Sequence, residues 1–289
     1  MLTISAEKFS LWKEKQISKG GDNQSLDLLI DLLGGLSKNE FNLLKIKSEK
    51  KVKLKINLEI LESFWDKHLD TGIPIQYLSG ISYWRDLKLE VSNKVLIPRT
   101  ETELVIEIIS ERFKNKEEKI TFVDLGTGSG AICIALALAY PNWKGFATDI
   151  DKNAIEIASK NFTKNSNQSN LKFYKGNWWN PLENFKGKID LAIANPPYIP
   201  QFTYEELPIE VKNFEPKCAL LGGEDGLDHI KEIIQNAPLY LKEKGWLLIE
   251  NHFDQGERVK KLFHKNRFTA VSVLKDFSGI GRFTIGRYK

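Results

Sequence analysis

A chain of 289 residues is long for one small core and suits two domains. With 42% hydrophobic and 28% charged residues it has the make-up of an ordinary soluble globular protein, and a net charge of +4 is too small to argue by itself for a nucleic-acid partner. Two cysteines, Cys133 and Cys218, and four scattered histidines (His68, His229, His252 and His264) give neither a disulfide framework nor metal-ligand spacing. No apolar stretch approaches about 18 residues, and Met1 opens no signal-peptide layout, so a cytoplasmic protein with no membrane partner is expected.

Residues 1–72 read as a small helical bundle. Phe9 and Trp12 share a face of a first helix. Leu26, Leu29, Ile30 and Leu33 share a face of a second, which stops at Gly34-Gly35. Ser37-Lys38-Asn39-Glu40 is a capping box opening a third, with Phe41 and Leu44 inward and Leu43 as a further candidate. Leu58, Leu61, Phe64 and Trp65 mark a fourth, ending by Gly72. Residues 73–98 change to strand-like alternation at Tyr83 and Trp84, then Leu87, Leu89 and Val91, then Val95 and Ile97, broken at Ser92-Asn93. This predicts a β-hairpin linker closed by Pro98, followed by an amphipathic helix over 101–113.

From residue 119 strands and helices alternate, the pattern of a parallel, doubly wound α/β sheet. Strands are expected over 120–125, 144–149, 171–175, 189–194 and 246–250, and helices over 130–138, 152–164, 225–241 and 254–263. A closing antiparallel pair is expected over 269–275 and 282–286. Residues 99–289 thus form a Rossmann-like domain.

Three clusters fall at the carboxyl ends of these strands, where open α/β sheets bind ligands. Asp124-Leu125-Gly126-Thr127-Gly128-Ser129-Gly130 joins a strand to a helix, and its glycines allow a tight turn and a close ligand approach. With Ala131 the run also satisfies the loose dinucleotide fingerprint, so the loop alone does not choose between cofactors. Asp149 ends the next strand, the place for a carboxylate on a ribose diol; Asp151 suits the following helix cap better. Asp124 suits the sulfonium and ammonium of S-adenosylmethionine and would be less helpful beside a pyrophosphate. Trp178 can pack on adenine, although core packing explains Trp178 and Trp179 equally well. Asn195-Pro196-Pro197-Tyr198 closes the apolar run 189–194. Prolines lack an N–H and fix φ, so backbone carbonyls are left as oriented acceptors. The Asn195 amide adds an acceptor and Tyr198 a flat wall, together a cradle for a planar NH2 group.

The residues at 124–130, Asp149 and the motif at 195–198, in this order, resemble class I S-adenosylmethionine methyltransferases acting on a planar nitrogen. The run Pro74-Ile75-Gln76-Tyr77-Leu78-Ser79-Gly80 and the run from Val95 through Pro98-Arg99-Thr100-Glu101-Thr102-Glu103 narrow the resemblance. So do Phe214-Glu215-Pro216, the segment 219–223 and Asp225-Gly226-Leu227-Asp228. Together these are similar to the HemK/PrmC family, the release factor glutamine N5-methyltransferases, over about residues 73–287. The resemblance implies S-adenosylmethionine as methyl donor and the glutamine of a Gly-Gly-Gln segment in a release factor as acceptor. It implies cofactor contacts at Asp124, Gly126, Thr127, Gly128, Gly130, Asp149, Asn177, Trp178 and Asn195. Asn195, Pro196, Pro197 and Tyr198 would hold the substrate, with Asn195, Pro196 and Tyr198 serving the chemistry. No metal, no direct nucleic acid and a monomer are expected, with the bundle and hairpin recognising the release factor.

Thr100, Asn177 and Asn251-His252 depart from the family pattern, where proline, aspartate and His-Gly are usual. An amide at Asn177 still bonds to adenine, whereas Asn251-His252 would reshape the pocket rim. The segment 98–103 reads equally as a pocket wall and as a salt-bridged linker. A rival activity is adenine-N6 methylation of DNA or RNA, since an exocyclic amine presents the same planar NH2, but no basic aromatic-rich recognition domain accompanies the motif. A non-catalytic binding module and a nicotinamide dehydrogenase are further readings; the intact clusters speak against the first, and the second has no use for the motif at 195–198.

Overall fold

The computed structural model describes residues 1–46, 50–115 and 117–289, and the chain divides into two units. The first comprises residues 1–82 with 209–214, the second residues 83–208 with 215–289.

In the first unit, β1 (Leu2–Ser5) leads into α1 (Ala6–Ser18), followed by α2 (Asn23–Leu29), α3 (Lys38–Ile46), β2 (Lys51–Leu54), α4 (Leu58–Thr71) and α5 (Ile75–Ser79). Phe9, Trp12, Leu26, Leu29, Phe41, Leu61 and Trp65 are buried in one cluster, as the helical spacing of these residues requires. A π-helical turn, Ile30–Gly34, ends the second helix where glycines were expected to stop it. The capping box is reciprocal: Ser37 N donates to Glu40 Oε2 at 2.9 Å and Glu40 N donates to Ser37 Oγ at 3.2 Å. Leu43 is 52% exposed and does not face the core. The antiparallel pair of β1 and β2 was not foreseen, although Val52 and Leu54 are buried between exposed lysines.

The chain enters the second unit within β3 (Ile81–Trp84), which pairs with β4 (Leu87–Glu90). The hairpin turns at Arg85-Asp86 and not at Ser92-Asn93; Val95 and Ile97 are buried without forming a strand. Arg85 takes φ 51°, a cost offset by its amide donating to Glu103 Oε1 at 3.2 Å and its guanidinium pairing with Glu107 at 2.7 Å. A 3-10 turn, Glu101–Glu103, then precedes α6 (Leu104–Arg112).

The sheet of the second unit contains β5 (Thr121–Leu125), β6 (Lys144–Asp149), β7 (Leu171–Lys175), β8 (Ile189–Ala194), β9 (Leu241–Glu250), β10 (Phe268–Lys275) and β11 (Gly281–Tyr288). Its order is β10-β11-β9-β8-β5-β6-β7, with β11 antiparallel to both neighbours and β5 to β9 mutually parallel. The antiparallel strand thus lies second from the edge, with β10 outside it. One face, through Phe122, Leu191 and Ile193, packs on α6 and α7 (Ala131–Ala139), with Phe162 of α8 (Lys152–Asn165) in the same cluster. The other face, through Val123, Leu125, Ala192 and Leu247, packs on α11 (Asp228–Tyr240) and α12 (Gly256–Lys265). Strands buried on both faces read as near-continuous apolar runs, which is why the sheet was legible. The helices α9 (Gln201–Glu205) and α10 (Ile209–Phe214), short and without a periodic apolar stripe, were not. No helix among the described residues is long and apolar enough to cross a membrane.

Candidate active site

Strand order reverses at β5, whose neighbours are β6 and β8, so the loops after these three strands open on one crevice. One cavity there is lined by the loop residues Gly126, Thr127 and Gly128, by Asp149 and Trp178, and by Asn195 and Pro197. Pro98, Arg99 and Thr102 form part of its wall. Asn177 also lines it. Asp124, Gly130, Pro196 and Tyr198 do not line it.

The glycine loop is set by backbone geometry. Gly126 has φ +76°, and a Cβ there would stand 2.8 Å from the Trp178 ring, so the indole packs directly on the loop. Gly130, at φ +88°, caps α7, where a Cβ would meet Ile134 at 2.9 Å and Ala158 at 3.1 Å. The amides of Gly126 and Thr127 both donate to Thr148 O (2.8 and 2.9 Å), that of Gly128 to Asp149 Oδ2 (2.9 Å) and that of Gly130 to Thr127 O (2.9 Å). These four donors are committed within the protein, and two carboxylates stand beside them. The loop is therefore a poor cradle for a pyrophosphate and a good neighbour for a cation.

Asp124 is 1% exposed; Thr127 Oγ1 donates to its Oδ2 at 2.6 Å, and its Oδ1 is buried without a hydrogen-bond partner. Burial pushes its carboxyl up to about 6, against the hydrogen bond from Thr127. Burial also raises Asp149, whose Oδ1 accepts from Asp151 N at 2.9 Å. Each Asp149 oxygen thus takes one backbone N–H and keeps lone pairs for a diol. Asp151 caps α8 through Asn153 N, as expected. These features fit S-adenosylmethionine: an unsatisfied buried acid, a diol acceptor and an indole wall. Cys218 also lines this cavity, and its thiol is raised by partial burial and by the charges of Asp149 and Asp151.

The two adjacent tryptophans separate. Trp178, at φ 44°, faces the cavity, with Thr148 Oγ1 holding its carbonyl at 2.9 Å. Trp179 belongs to the core: its indole N–H donates to Ile233 O and its ring stacks on Tyr240. The Asn177 amide donates one N–H to Glu232 Oε1 at 2.8 Å, which leaves its second N–H and its oxygen for the cavity. Asn251 turns inward, while the His252 ring lies 6.2 Å from that of Tyr198. Asn251 is buried, accepting from Thr284 Oγ1 and donating to His252 O.

The motif at 195–198 meets Thr102, from the segment expected as a pocket wall, and Glu250, which had no expected role. Asn195 Nδ2 stands 3.2 Å from Thr102 Oγ1, which donates to Glu250 Oε2 at 2.7 Å. Tyr198 OH donates to Glu250 Oε1 at 3.2 Å. Glu250, at the end of β9, is 2% exposed; burial pushes it up to about 7, opposed by these hydrogen bonds and by Arg282. Burial and the Glu250 charge likewise raise Tyr198, which stays a donor. The signal was available: an acid closing the apolar end of a strand, as Asp149 does. The segment 98–103 is both things its sequence allowed, because Arg99 lines the cavity and its Nη2 also donates to both oxygens of buried Glu215 (2.8 and 2.6 Å).

A methyltransferase-domain model matches residues 116–279. The release factor glutamine methyltransferase of Prochlorococcus marinus is 40% identical over 281 residues, covering 97% of this chain and 96% of that protein. This chain belongs to that family. The Synechocystis sp. family member is 33% identical, covering 98% of this chain and 97% of its own. As in other methyltransferases of this class, the methyl donor is S-adenosylmethionine. Among solved structures, a Pyrococcus furiosus methyltransferase superposes with a TM-score of 0.51 at 19% identity, covering 70% of this chain and 89% of its own. The hMettl16 catalytic domain in complex with a 3'UTR hairpin superposes at 0.56 and 16% identity, covering 79% and 80%. Both likenesses establish the shared fold of the family's catalytic unit.

Proposed function

We propose that this chain transfers the methyl group of S-adenosylmethionine to the side-chain amide nitrogen (N5) of the glutamine in the Gly-Gly-Gln segment of peptide-chain release factors. The observation that carries this reading is the placement of Asn195 and Pro197 in the same cavity as the glycine loop and Asp149. The names of the family members supply the substrate.

The cofactor, when bound, supplies a methyl group activated by a positively charged sulfur. The chain's residues do the rest. Asp149 accepts the ribose hydroxyls, Trp178 covers the adenine, and Asp124, through Thr127 and the loop, sets a negative field for the cationic end. Gly126, Gly128 and Gly130 let the backbone approach closely. An amide nitrogen is a weak nucleophile because its lone pair is delocalised, so orientation is worth more than a base. The Asn195 oxygen and the Pro196 carbonyl accept the two N–H groups, favouring the transition state as positive charge grows on nitrogen. Tyr198 holds the amide plane, with Pro197 fixing the direction of the turn. After transfer the methylated nitrogen gives up one proton to water, which restores a neutral amide.

The first unit supplies recognition of the folded release factor; neither membrane nor nucleic acid takes part, and the enzyme acts as a cytoplasmic monomer. The deciding experiment is transfer of labelled methyl to purified release factor, to the same factor with the target glutamine replaced, and to duplex DNA. Label on the intact factor alone is expected; label on DNA, or on the glutamine-free factor, would replace this reading.

A further inference from the structure

On the reading above, the Asn195 amide is useful only with its oxygen, and not its NH2 group, toward the substrate nitrogen. The two ends are nearly equal in size, so the residue itself does not choose between them. Its neighbours do. A carboxylate only accepts hydrogen bonds. While Glu250 is ionised, the Thr102 hydroxyl, 2.7 Å from its Oε2, gives it the proton, which leaves lone pairs alone to face Asn195. Those lone pairs attract the Asn195 NH2 group at 3.2 Å and repel its oxygen. The second oxygen of the same carboxylate takes the Tyr198 hydroxyl. Gln255 fixes the turn from its other side by donating to Tyr198 O at 2.9 Å, so the ring and the backbone of the motif are held independently.

We propose that Glu250 is a positioning residue for methyl transfer: through Thr102 it turns the Asn195 oxygen toward the substrate nitrogen, and through the Tyr198 hydroxyl it tethers the ring that holds the amide plane. It touches no reacting atom. The polarity of the relay depends on the carboxylate charge. A neutral Glu250 can donate to Thr102, whose hydroxyl then donates to the Asn195 oxygen and turns the amide round. The other charged or titratable groups bearing on Glu250 are Tyr198, Arg282 of β11 and Glu101, with Arg99 acting on Tyr198.

The test measures kcat at saturating cofactor and release factor across pH for wild type, Thr102→Val, Thr102→Ser and Glu250→Gln. Thr102→Val keeps the shape and loses the relay, and a fall in kcat on the order of 10²-fold is expected, the scale of one mis-set transition-state contact. Thr102→Ser keeps the hydroxyl and should recover most of that loss, which a role in packing alone would not produce. In the wild type kcat should decline as pH falls through about 7, where the Glu250 carboxyl gains its proton. Glu250→Gln should be slow and lack that decline, since Arg282, Glu101 and Tyr198 remain in place. Wild-type kcat in Thr102→Val, or equal losses in the Ser and Val variants, would overturn the proposal even if Glu250→Gln did not fold. A wild-type enzyme that puts no methyl on release-factor glutamine is a different result, and fails the underlying reading instead.

Discussion

The amide of Gly128, in the loop after β5, and the carboxylate of Asp149, the last residue of the adjacent parallel strand β6, are joined by a 2.9 Å hydrogen bond. The acid assigned to the ribose thus also holds the loop assigned to the methionine part. Asp149→Ala should weaken S-adenosylmethionine binding by ~1–3 kcal/mol, from loss of charge-assisted hydrogen bonds. Asp149→Asn, which can still accept from Gly128, should lose less. Calorimetric titration of the two folded variants checks the order; unchanged affinity in Asp149→Ala removes the residue from the site.

Asn195→Ala should lower kcat by roughly 10²–10³, the cost of removing one oriented partner of the developing charge. Cofactor affinity should barely change, because Asp149 and the loop at 126–130 are untouched. Full turnover in the folded variant would exclude the role given to this side chain.

Asp124 sets function against stability. Burial pushes its carboxyl from the usual 3.8 up to about 6, so between these pH values the folded state holds more protons than the unfolded one. Stability from this group is therefore present at low pH and lost as pH rises through 6. Asp124→Asn should stabilise the cofactor-free protein at pH 8 by at most about 3 kcal/mol, with little effect near pH 4. The same variant should bind the cationic cofactor more weakly. Urea denaturation at both pH values reads the first effect. A variant no more stable at pH 8 than the wild type contradicts the burial cost.

A fragment spanning residues 83–289 should fold and bind cofactor, yet methylate intact release factor poorly. Starting at Ser92 instead removes Trp84, Leu87 and Leu89, all buried in the core beside α6 and α7, at about 1.5–3 kcal/mol each. Thermal denaturation of the two fragments separates them. Full activity of the longer fragment on intact release factor would deny the first unit its recognition role.

What could be read in advance follows from what sequence encodes locally. Runs such as Ile189–Ala194 announce buried strands, and the topology of a doubly wound sheet then places Asp124, Asp149 and Asn195 on one edge without any knowledge of distance. The pairing of Thr102 with Glu250 escaped because it is a contact across 148 positions of sequence. The hairpin turn at Arg85 escaped for a related reason. Its left-handed backbone is held by Glu103 and Glu107, not by a glycine or asparagine that would mark it. In the first unit β2 was missed although its alternation was plain, because Lys51–Leu54 is short and its partner β1 lies at the far end of the unit's sequence.

Cys218 gives the enzyme a built-in gauge of occupancy. The other sulfhydryl, Cys133, is buried in α7, so a thiol reagent has one accessible target, and that target borders the cofactor cavity. Partial burial and the nearby charges of Asp149 and Asp151 keep it mostly protonated at neutral pH, so alkylation should be slow there and quicken in mild alkali. Added S-adenosylmethionine should shield it, turning a simple labelling rate into a binding measurement that needs no release factor and no methyl transfer.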